Sequence, residues 1–234
     1  TNGSQNPTVY AFGFSIGVFI SLIGTLWIGE RVAQDGEGEL PPEWNSNKTL
    51  LISALPFAIT LGILPYVTKL EKFLLAGMTS YSEVSIYHVA QLAWIAGLML
   101  PQAMRAALLP YLGEVRDEPE KFASRMGTAH HWTLAILPLG LLAGHLIVSF
   151  SVPRLFDSDY SQAVEVFDIL LAGWAMTLLA VPWYVALQAG HNPWRFTAMI
   201  TLVVIVAAIT GWLLIPESGV MGAAWASVIG CSIM

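Results

Sequence analysis

The chain alternates long apolar runs with short polar breaks. Apolar runs cover 8–29, 49–70, 81–113, 128–152, 162–190, 194–215 and 220–234. The first six reach the roughly 20 residues that a helix needs to cross a hydrocarbon core; the seventh is shorter. The pattern predicts an all-α, polytopic transmembrane helix bundle of about six complete spans and one truncated span.

The third run is the most informative. Within it His88, Gln91, Ile95, Leu98, Gln102 and Arg105 follow one another at intervals of 3, 4, 3, 4 and 3 residues. That spacing puts them on one face of a helix. Lipid cannot satisfy such a stripe, so it must meet protein or water. The fifth run repeats the pattern with Trp174, Thr177, Val181, Tyr184 and Gln188. The fourth carries His131, Pro138, Leu142, His145 and Ser149 on a related face. The third and fifth spans are therefore expected to line a polar space. The sixth, with only Thr197, Thr201 and Thr210, is expected to face lipid or packed helices.

Composition supports a membrane setting. Charged residues make up 11% of the 234 residues, against about 25% in soluble domains, and mean hydropathy is +0.65. Nine tryptophans suit the membrane interface. The formal charge of −6 matters less than where the cations lie. If the loops alternate sides, Arg31, Lys48, Arg105, Arg116, Lys121, Arg125 and Arg195 share one side, and Lys69, Lys72 and Arg154 the other. The excess of Lys and Arg assigns the first side, with loops 30–48, 113–128 and 190–195, to the cytoplasm of a cell inner (plasma) membrane. Both ends read as internal to a longer transporter-like chain. The lone Cys231 excludes an internal disulfide and reads as a helix-packing residue.

Four of the polar groups have two readings each. Arg105 lies about two turns inside its span, where it either snorkels to the interface or binds a phosphate. His88 is a proton-sensitive group or a neutral hydrogen-bonding one. His130 and His131 have no third ligand at metal spacing and read as interfacial, so no metal site is expected. Glu165 and Asp168 lie near a helix start, where the macrodipole favours acids; a cation site is the minority reading. Phosphate-loop, HExxH and GxSxG motifs are absent, no loop exceeds about 20 residues, and no basic aromatic surface points to nucleic acid. The reading is of a non-enzyme.

Five segments carry a family resemblance. They are LEKFLLAGMTSYSEVSIYHVAQL (70–92), LLPYLGEV (108–115), RLFDSDYSQA (154–163), ALQAGHNPWRF (186–196) and LIPESGVMGAAWAS (214–227). In order and spacing they resemble the C-terminal half of Wzx-like polysaccharide biosynthesis proteins, the lipid-linked oligosaccharide flippases of the MOP (MATE-like) exporter superfamily. Glu71 and Lys72 take an acid and a base position, and Tyr87 and Ala90 match. Ser85 and Asp157 stand where glycine is usual.

The resemblance implies that 1–48 is the last helix of an N-terminal lobe plus a cytoplasmic linker, and that 49–234 is a C-terminal six-helix lobe. It implies flipping of an undecaprenyl-pyrophosphate-linked oligosaccharide by alternating access, for cell-surface polysaccharide such as O-antigen. The partners implied are that lipid, membrane lipids and the polysaccharide polymerase machinery. No cofactor is implied; H+ or Na+ coupling is a further implication without a clear site. Stripe position selects His88, Gln91, Gln102, Arg105, Tyr184 and Gln188 as substrate-binding residues lining the cavity. The alternatives are a cation-coupled multidrug exporter of the same superfamily, a membrane glycosyltransferase or polymerase, and a non-transporting scaffold.

Overall fold

The computed structural model describes residues 47–190 and 193–234. The expected first span at 8–29 and the linker to 46 lie outside these residues. The described residues contain α1 (Asn47–Ile63), α2 (Tyr66–Met78), α3 (Tyr81–Gly97), α4 (Met99–Gly113), α5 (Pro119–Leu155), a 3-10 turn (Ser158–Tyr160), α6 (Gln162–Ala189) and α7 (Pro193–Cys231), and no strand. An apolar chain can close its backbone hydrogen bonds within a helix, without water.

Four stretches are long and apolar enough to cross a membrane: Tyr81–Gly113, Pro119–Leu155, Ser158–Ala189 and Trp194–Cys231. The expected span at 49–70 is divided by a break at Leu64 and Pro65. Its second half, α2, runs on to Met78 and carries Glu71 into the core instead of leaving it at the helix end. The helix expected over 81–113 is also divided, at Leu98. The stretch expected as the loop 113–128 starts a helix at Pro119, which continues without interruption to Leu155. Proline suits the first turn, because its missing N–H has no helical acceptor there.

Local signals fix the ends of these elements. Ser80 opens α3 by accepting a hydrogen bond from the Glu83 amide at 3.4 Å, the Ser-x-x-Glu pattern of a capping box. Gly219 has φ +53° and ψ −129°, outside helical space, and there α7 folds back on itself. The returning stretch packs closely. A Cβ on Gly222 would collide with the Leu214 carbonyl, and one on Gly230 would lie 3.0 Å from Ala207 Cβ. The hairpin expected at 216–219 therefore forms because small residues line the closing face.

Helix α6 is the axle of the lobe, in contact with α3, α4, α5 and α7. Its stripe of Trp174, Val181 and Tyr184 is buried, with Thr177 and Gln188 half-buried. Trp174, Val181 and Tyr184 of this stripe thus face neighbouring helices, while Gln188 reaches Arg105. Two apolar clusters lie along α6. One gathers Leu75, Tyr87, Leu170, Leu178 and Ile215, the other Leu112, Val181, Val185, Phe196 and Ile200. The outer faces of α5 and α7 expose Leu139, Leu142, Leu146 and Phe150, and Leu202, Ile205, Ile209 and Trp212. The stripe on α7 is wholly apolar and suits lipid, and that on α5 is apolar except for His145.

The hairpin makes a testable demand. Gly219→Ala adds a Cβ where the backbone is left-handed and where the Glu83 carboxylate already sits. It should cost about 1–3 kcal/mol and lower the thermal unfolding midpoint in detergent. Gly77→Ala, in open space on α2, should leave the midpoint unchanged or slightly raised. Equal midpoints for the two variants would disprove the tight turn.

Candidate functional site

The polar residues of the third span sit on a helix that its own sequence breaks. Pro101 has no N–H to offer the carbonyl of Gly97, one turn earlier. Trp174 of α6 supplies the missing donor: its indole N–H reaches the Gly97 oxygen at 2.9 Å. The indole is 4% exposed and lies so close to Gly140 of α5 that a Cβ there would collide with the ring. One side chain thus joins α3, α5 and α6 at the point where α3 gives way to α4.

Beyond this joint the six candidate residues separate. Arg105 of α4 and Gln188 of α6 meet, the guanidinium Nε donating to Gln188 Oε1 at 3.0 Å. Tyr184, one turn before Gln188, lies close enough to feel the Arg105 charge and packs its ring 6.4 Å from that of Phe196. These three form one cluster. His88 lies near the other end of the same face, exposed, with Nδ1 2.9 Å from Lys72 Nζ. A lysine ammonium can only donate, so the imidazole accepts. Gln102 is exposed between the two groups. Gln91 turns the other way: it is 3% exposed and donates to the Thr68 carbonyl of α2.

The polar surface is therefore narrower than the heptad-like stripe. Along this face the exposed positions of α3 and α4 include His88, Leu92, Ile95, Met99 and Gln102, while Gln91 and Leu98 lie on the packed edge. Charged and amide groups at the two ends of this face distinguish it from the mostly apolar outer faces of α5 and α7.

A second polar cluster is buried in the lobe. Glu71 is 1% exposed, and its Oε2 has no hydrogen-bond partner. Around it stand Tyr87 and Cys231, with Ser227 in hydrogen-bonding reach of Tyr87 and Thr177 in reach of Cys231. Four helices, α2, α3, α6 and α7, contribute to this cluster. Placing Glu71 at a span end concealed it. The available clue was its four-residue spacing from Leu75 on the buried face of α2. An unpaired buried carboxylate costs several kcal/mol, about 3 or more, so a proton or a cation is its natural partner.

The remaining candidates are placed as follows. Asp168, with Glu165 exposed one turn before it, accepts from or pairs with His145 at 2.8 Å across α5 and α6. His131 donates to the Gly127 carbonyl at 2.6 Å, and His130 packs edge-on to Trp183. Among the described residues no three His, Cys, Asp or Glu side chains gather at metal-binding distance.

No protein-family model, no curated protein and no solved structure matches the chain. The reading of its function rests on its own residues.

The joint at Trp174 can be tested directly. Trp174→Phe keeps a ring in place but leaves the half-buried Gly97 carbonyl without the indole donor, at a cost of about 1–3 kcal/mol. The variant should unfold at lower temperature. Adding Pro101→Ala, which gives an amide back to that carbonyl, should recover part of the loss. No recovery would mean that the indole acts by packing alone.

Proposed function

We propose that this chain is one lobe of a membrane transporter that flips a lipid-linked oligosaccharide, and that it spans the membrane about six times. The observation that carries the reading is the uneven distribution of polarity over the lobe. One helix face holds the exposed Lys72–His88 pair at one end and the half-buried Arg105–Gln188 pair at the other, whereas α7 exposes the apolar stripe Leu202, Ile205, Ile209 and Trp212, and α5 exposes leucines and Phe150 with His145–Asp168 among them. A sugar diphosphate head needs cations and hydrogen-bond partners, and its isoprenoid tail needs lipid. A lobe with one polar and several apolar faces serves both. In this reading His88, Gln102, Arg105 and Gln188 border the substrate path, Tyr184 steadies the Arg105 cluster, and Gln91 holds α3 against α2. The lobe rocks against a partner lobe in alternating access, and transport, not bond chemistry, is its task. The positive side, with 113–128, faces the cytoplasm.

A second reading, a cation-coupled exporter of smaller molecules, draws support from Glu71. A buried acid held by four helices can gain and lose a cation as the helices shift, which couples an ion gradient to movement. The same device serves a flippase, so the substrate distinguishes the two.

The experiment is reconstitution of the full-length protein in vesicles with undecaprenyl-pyrophosphate oligosaccharide, scoring the appearance of sugar on the opposite face. Arg105→Ala should slow translocation about tenfold or more at normal expression. Unchanged transport would remove Arg105 from the path. Glu71→Gln should retain the fold and abolish the response to an imposed proton or sodium gradient. No sugar translocation together with gradient-driven dye efflux would establish the exporter instead.

A further inference from the structure

Five cations of this lobe have side-chain hydrogen-bond or ion-pair partners of two kinds, while Arg154 lies on the Phe150 carbonyl and ring. In the connection between α4 and α5 and the first turns of α5, Arg116, Lys121 and Arg125 each lie against a carboxylate, of Asp117, Glu118 and Glu114. Lys72 and Arg105, which lie within the helices, have no carboxylate within ion-pair distance among the described residues. Their partners are neutral: the His88 imidazole for Lys72 and the Gln188 amide for Arg105. Each neutral partner accepts one hydrogen bond, orients the cation and brings no charge of its own to cancel it. Glu71, next to Lys72 in sequence, points into the core and does not cancel it.

The positions of the two pairs add a second fact. His88 and Arg105 lie 17 residues apart, on either side of the break at Leu98, a separation of at most about 25 Å at a rise of about 1.5 Å per residue. The hydrocarbon core of a bilayer is about 30 Å thick. His88 stands 88 − 81 = 7 residues inside one end of Tyr81–Gly113, and Arg105 stands 113 − 105 = 8 residues inside the other. The stretch is about 50 Å long and overhangs the core by about 10 Å on each side. The two cation pairs thus fall just inside the two edges of the hydrocarbon core, where long cationic side chains can reach toward the headgroup phosphates. Between them the exposed face is mostly apolar, with Leu92, Ile95 and Met99.

We propose that Lys72–His88 and Arg105–Gln188 are a matched pair of phosphate-binding stations, one for each face of the membrane, that hold the same lipid phosphate head before and after it crosses. The idea deepens the flippase reading and rests on it. It adds Lys72 to the substrate path and gives His88 a role. The imidazole accepts from the lysine through Nδ1 and so carries its own proton on Nε2, which provides a second donor beside the ammonium. The Arg105 fork offers its remaining N–H groups in the same way. The apolar stretch of Leu92, Ile95 and Met99 offers a phosphate no partner, and Gln102, one turn before Arg105, extends the Arg105 end, so the head rests at either end and not on the apolar stretch. The phosphate belongs either to a polyprenyl diphosphate or to an ordinary anionic phospholipid, and the experiment separates these sources.

The test is equilibrium binding to the full-length protein in an uncharged detergent, with radiolabelled undecaprenyl diphosphate as probe and phosphatidylglycerol as competitor. Lys72→Ala and His88→Ala should each weaken binding about tenfold. Lys72→Arg should retain it, and Lys72→Ala combined with Arg105→Ala should nearly abolish it. Weak competition by phosphatidylglycerol assigns the stations to the diphosphate lipid. Full competition, with phosphatidylglycerol retention itself lost in Lys72→Ala, keeps the phosphate stations but turns them to bulk lipid and counts against the flippase reading. Unaltered retention of both lipids in Lys72→Ala and in the double variant, at unchanged melting temperature, would overturn the stations altogether.

Discussion

The bond from Trp174 to the Gly97 carbonyl is the joint on which the lobe depends. A proline in an apolar helix frees a carbonyl that lipid cannot satisfy. Here the partner comes from the central helix, so the defect in α3–α4 becomes a fixed crossing point. Gly140 completes it by letting α5 approach the indole face. The direction of α4, and with it the meeting of Arg105 with Gln188, follows from how that joint is closed.

Around the joint the lobe separates two kinds of polar group. Those on the open face of α3–α4 keep their charge available to a ligand, because their partners are neutral. Glu71 and its neighbours Tyr87 and Cys231 are enclosed, where any change of charge is felt by four helices. The transport proposed for this lobe would use both arrangements: a surface that holds a head group and a buried group whose state alters packing. That the two lie back to back, with Lys72 facing one and Glu71 the other, follows from helix geometry. Adjacent residues on a helix point about 100° apart.

Much of the architecture was legible in the chain. The helical class and the apolar lengths follow from the bilayer's demand that backbone groups pair internally. The hairpin at Gly219 was marked by Pro216, Gly219 and the small residues after them. The polar stripe of 88–105 was visible because 3- and 4-residue intervals have one geometric meaning. What the stripe concealed was its width. Gln91 and His88 are neighbours on it, yet one is sealed against Thr68 and the other open, since burial depends on which helix lies alongside. The stripe on α6 was equally regular, yet its Trp174, Val181 and Tyr184 are core, because α6 is surrounded.

Sequence alone determined that this chain is helical, suited to a membrane, and polar along one face of its third long run, for these are consequences of composition and period. The tertiary structure decided which polar groups meet. Arg105 finds Gln188 across 83 residues, Trp174 finds Gly97 across 77, and Lys72 finds His88 from the preceding helix. Such pairings depend on the crossing of helices, which is set by small residues and breaks distributed over the whole lobe and by no local pattern. The burial of Glu71 is of the same kind: a single acid in an apolar run reads as a helix end until three other helices close over it.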